Sequence, residues 1–165
     1  MNYPYIHLTL NHIPIVTNLV GILLLLCAIV RKNAEWKKAA VGIFILSALV
    51  SVPTYLTGEP SEDTIEHLPG VSKDDIHEHE EAAEFAFVAI LALGALSLFG
   101  SFLSWKQGSY PAWFIPAVLV LALVVGGILA RTANLGGKIR HPEIRSGAQQ
   151  PVSESDEEDW HASPC

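Results

Sequence analysis

Apolar positions along this chain gather into four long runs, and the charged positions fall between them. The runs lie at 13–30 (IPIVTNLVGILLLLCAIV), 39–57, 85–105 and 112–130, and none contains Asp, Glu, Lys or Arg. Each has about the 17–25 residues that a helix needs to cross a bilayer. The pattern therefore predicts an all-α fold, an integral membrane four-helix bundle with spans at about 10–31, 36–57, 76–105 and 111–135 over a domain of residues 1–144. From 145 to 165 the chain turns polar, acidic and Ser/Pro-rich, which predicts a disordered tail.

Punctuation along the runs refines this outline. Pro14 falls in the first turn of the first span, where a missing N–H costs least, so residues 4–12 are expected to bend. Pro53 should kink the second span near its outer end. Ser72 followed by Asp75 resembles a capping box, with acids in the first turn of the helix that becomes the third span. Gly94, Gly126 and Gly127 permit close helix contact, and Gly136-Gly137 should end the fourth helix.

Composition agrees with a membrane domain. Half of the 165 residues are hydrophobic and the mean hydropathy is +0.36. Neither a basic n-region nor an A-x-A-like site opens the chain, so the first run reads as a retained span. Arg31, Lys32, Lys37 and Lys38 crowd the link between the first two spans, and Lys106 lies between the third and fourth. The positive-inside rule then puts both termini and the 58–76 loop on the outer side, although Arg131, Lys138, Arg140 and Arg145 count against it. A net charge of −7, held mostly in that loop and in SESDEEDW, excludes nucleic acid as a partner. Cys27 lies mid-span and Cys165 is terminal, so no disulfide is expected. C-x-x-C-H, H-E-x-x-H, a phosphate loop and a nucleophile elbow are all missing.

Candidate chemistry lies at the outer face. His7, His12, His67, His77, His79 and His141 all fall there, and His161 is in the tail. On a helix, His77, Glu81 and Glu84 lie within about 60° of one another, with Glu80 beside them and His79 nearly opposite. Glu84, two turns toward the apolar block, is expected to face the bundle interior with Arg131 as its partner. Asn11 and Asn18 share a face of the first span near His12. If the first and third spans touch, His12 with His77 or His79 can ligate a b-type haem, with Arg131 pairing a propionate. Alternatively His7, His12, His77, Glu81 and Glu84 can hold a transition metal ion. Against both stands the ordinary reading, in which these are solvated residues at helix ends. A further alternative is a non-catalytic accessory subunit packed on a larger respiratory or photosynthetic complex. A proton path through Glu84 and Arg131 has no continuation in the apolar inner halves of the spans.

The motif His7-x-x-x-x-His12-x-Pro14 resembles the opening of a widespread bacterial family of four-helix predicted membrane proteins of unknown function. Its first span typically begins His-Pro-x-x-x-His-x-Pro; Leu8 stands here in place of that proline. The similarity extends over most of residues 5–135 and carries His7, His12 and Pro14 onto this chain. Members occur joined to cytochrome-type modules. The resemblance thus implies a multi-pass protein of the bacterial inner membrane, electron transfer at the periplasmic face, and other membrane or periplasmic redox subunits as partners besides lipid.

Overall fold

In a computed structural model that describes residues 3–68 and 71–140, and only the backbone of Arg140, the regular elements are six α-helices. They are α1 (Tyr3–Leu10), α2 (His12–Val30), α3 (Ala34–Leu56), α4 (Gly58–Ile65), α5 (Lys73–Gln107) and α6 (Phe114–Arg140). The tail beyond residue 140, with His141 and Cys165, lies outside the described residues. Four stretches are long and apolar enough to cross a membrane, in Tyr3–Val30, Ala34–Ile65, Lys73–Gln107 and Phe114–Ile139.

Local chemistry sets the helix ends. Asn11 separates α1 from α2, and Pro14 follows in the first turn of α2, where its fixed φ suits the helix. Asn33 caps α3 by accepting from the Trp36 N–H at 3.0 Å. Ser72 caps α5 by accepting from the Asp75 N–H at 3.4 Å, as its sequence predicts. Gly108 closes α5 with φ 77°, a left-handed turn that glycine adopts without strain. Pro53 lies in the last turn of α3. The 58–76 loop is not all irregular, because residues 58–65 form α4. Gly136-Gly137 does not stop α6 either; the helix runs through both to Arg140.

The long helices close into a ring. α2 packs on α3, α3 on α5, α5 on α6, and α6 returns to α2, while α1 lies against α4. This order corrects the adjacency on which pairing His12 with His77 depends. The first and third spans are α2 and α5, and they stand diagonally across the bundle.

Small residues bring the helices close. Gly94 of α5 faces Ala48 of α3, and Gly100 faces the Phe114 ring of α6. Leu25, Val41, Phe44, Leu93, Val118 and Val125 are fully buried and fill the axis. At about 1.5 Å per residue, the 35-residue α5 is about 52 Å long, well beyond the roughly 30 Å of a bilayer's hydrocarbon. Its charged first three turns, Lys73 to Glu84, therefore project past the apolar zone and stand beside α1, α4 and the end of α6.

Candidate functional site

At this projecting end two histidines turn inward, one from each half of the bundle. His7 belongs to α1. Its Nδ1–H donates to the Thr54 carbonyl of α3 at 3.1 Å, with the Thr57 hydroxyl oxygen also at 3.3 Å. His79 belongs to α5, and its Nδ1–H donates to the Thr132 carbonyl of α6 at 3.1 Å. A carbonyl can only accept, so each bond places the proton on Nδ1 and leaves Nε2 with a free lone pair. That is the tautomer a metal-ligating imidazole needs, held by the backbone contact such ligands usually have. Both rings are half-buried and lie within electrostatic reach of each other. Among the described residues, neither Nε2 has a hydrogen-bond partner.

Threonines tie each half together. The Thr54 hydroxyl donates to Val50 and to Leu10, joining α3 to α1, and Thr17 donates to Ser47 at 2.8 Å one layer below. On the other side the Thr132 hydroxyl donates to the Ala82 carbonyl at 3.1 Å, so α5 and α6 exchange hydrogen bonds in both directions. Deeper in, Asn18 is 1% exposed and its amide donates to Ala122 of α6 at 3.2 Å. Among the described residues, no donor reaches the buried Asn11 Oδ1 or Asn18 Oδ1. A buried acceptor of this kind calls for a donor from a ligand or from water.

The remaining candidates lie elsewhere. His12 is exposed on α2 and its Nδ1–H donates back to Leu8 at 2.9 Å, so it does not meet the third span. His77 is exposed and lies 3.5 Å from Glu81 and 3.8 Å from Glu80. Glu81 and Glu84 are exposed as well, which corrects the expectation that Glu84 faces the interior. Arg131 is exposed, and among the described residues no ion pair joins it to Glu84. The physical reason is the packing stripe of α5. Ile76, Ala82, Ala86, Ile90, Leu93 and Gly94 are buried, and His79 shares their side, so the acids turn outward to water. The five-residue metal set of His7, His12, His77, Glu81 and Glu84 is thus not assembled. No three His, Cys, Asp or Glu side chains are grouped to hold a metal ion among the described residues.

A cleft of ≈ 220 Å³ between α4 and the start of α5 is lined by Glu62, Asp63, Glu66, Lys73, His77 and Glu80, with Ile76 at its base. Lys73 lies 3.2 Å from Glu66, so part of this charge is neutralised within the cleft. The stripe of small and apolar residues at 76, 82, 86, 90 and 93 was the signal that could have singled out His79. For His7 the signal was the His-x-x-x-x-His-x-Pro motif, and its half-burial comes from Thr54 and Thr57 beside it and from α4 lying against α1.

No curated protein and no solved structure matches the chain. A family model described as "Predicted membrane protein (DUF2231)" matches residues 4–141, which takes in all four spans and both inward histidines. The chain belongs to that family of predicted membrane proteins.

Proposed function

We propose that this integral membrane protein is an electron carrier that binds a b-type haem at the end of its bundle, between His7 and His79. The observation that carries the reading is the pair of half-buried imidazoles from opposite halves, each fixed through Nδ1 with Nε2 free. Haem fits this donor set better than a bare metal ion does. The macrocycle supplies four of the six iron ligands, so two imidazoles suffice, whereas a protein-only site needs at least three converging donors. Arg131, next to Thr132 and open to solvent, is available to a propionate. A haem so held would supply one-electron exchange between ferric and ferrous iron; the protein would supply ligation and orientation. In this reading the histidine end faces the periplasm of a bacterial inner membrane, where a soluble or membrane-bound redox partner has access; the basic residues of the 31–38 link and Lys106 support that orientation.

The test is a visible spectrum of the detergent-purified full chain, as isolated and after dithionite. A Soret band that shifts and sharpens on reduction supports the reading. Acidification through the range in which imidazoles take up protons should then weaken binding, because a protonated Nε2 cannot ligate. A featureless spectrum rules the reading out, and co-purification of other membrane subunits would then favour an accessory role.

A further inference from the structure

We infer that Gly136 and Thr132 of α6 are the positioning residues that set the plane of the His79 ring. This rests on the bis-imidazole reading above. Thr132 grips α5 twice, once through its carbonyl on His79 Nδ1 and once through its hydroxyl on Ala82, three residues further along the same helix. One turn on, the ring lies over the bare backbone of Gly136. A Cβ built there would stand 3.0 Å from Cε1, 3.3 Å from Nδ1 and 3.7 Å from Nε2 of His79. The ring edge that carries both nitrogens thus occupies the space of the missing side chain.

The usual reasons for a helix glycine do not apply at this position. The helix continues past it to Arg140, and Gly136 is not in the left-handed conformation that Gly108 adopts. Glycine in a helix interior is less favourable than alanine, and at Gly136 the His79 ring stands where the alanine methyl would be. Gly127 of the same helix is a control, because a Cβ there would meet nothing within 4 Å. Gly58 faces the other ring less tightly, its Cβ position lying 3.7 Å from His7 Cε1, an ordinary contact.

The experiment compares the full-length protein in detergent as wild type, Gly136→Ala, Gly127→Ala and Thr132→Val, reading haem affinity, reduction potential and melting temperature. Gly136→Ala should bind haem about 10–100-fold more weakly, the range seen when groups supporting a ligand are removed. Its remaining haem should show a shifted potential, while the apoprotein still unfolds in one cooperative melt. Gly127→Ala should match wild type in affinity and potential. Thr132→Val keeps the carbonyl and removes the hydroxyl, so it should shift the potential in the same direction by less; it serves as the test should Gly136→Ala not assemble. Wild-type affinity and potential in Gly136→Ala, or in Thr132→Val if that variant stands in, overturn this inference alone. A wild type that binds no haem overturns the parent reading and this inference together.

Discussion

The two ends of the bundle are built on different principles. Toward the basic end, around the 31–33 and 108–113 links, the helices meet through Phe44, Leu25, Phe114 and Val118, with Ser97 and Ser104 as small buried polar residues among them. Trp36, Trp105 and Trp113 are exposed there, the amphipathic side chains that mark a membrane interface, and Lys106 lies 4.7 Å from the centre of the Phe102 ring. At the histidine end, threonine hydroxyls, histidine Nδ1 groups and carbonyls add oriented hydrogen bonds to an apolar stripe of Ile76, Ala82, Ala86, Leu135 and Ile139. Hydrocarbon-like packing is cheap in lipid and carries no chemistry. Oriented hydrogen bonds between helices are costly to bury, and those of His7, Thr54, His79 and Thr132 gather at one end.

Several substitutions would break or sharpen this contrast. The largest stability effect belongs to the packed end: Phe44→Ala should destabilise the bundle by about 3–5 kcal/mol, measured by denaturant unfolding in micelles, yet leave the spectrum of the folded fraction unchanged. His79→Ala should do the reverse, abolishing the six-coordinate haem spectrum at a smaller stability cost, and His7→Ala should behave alike. An intermediate effect is expected for Asn18→Leu, which removes the amide bond to Ala122 along with the unmet acceptor. It should change stability by only about 1 kcal/mol in the same unfolding measurement, because a lost hydrogen bond and a removed unsatisfied oxygen act in opposite directions. The smallest effects belong to the exposed candidates. His12→Ala and His77→Ala should leave haem content and spectrum as in wild type, and loss of haem in either would return the site to the first span or to the acidic stripe.

Much of the fold was legible because the bilayer imposes one strong rule on sequence. Spans must be long, apolar and uncharged, so the four runs, the Ser72 cap and the early Pro14 could all be read from the chain. The site was less legible, for two reasons that particular residues make plain. Glu84 looked buried by depth along its helix, but direction around the helix decides burial, and the Ile76-Ala82-Ala86-Ile90 stripe sends Glu84 outward. Gly136-Gly137 looked like a helix stop by propensity, but contact with His79 gives Gly136 a different role. His7 and His79 were both among the candidates. Pairing them required the ring order of the helices, which hydrophobic periodicity does not encode.

The central claim is that His7 and His79, and no other histidine pair, converge on one iron. Electron paramagnetic resonance of the oxidised full-length protein at low temperature tests it most directly. The account predicts a low-spin ferric signal typical of two imidazole ligands, converted to high spin in His79→Ala and in His7→Ala and unchanged in His12→Ala. A protein without haem iron, or a low-spin signal that survives loss of His79, would contradict it.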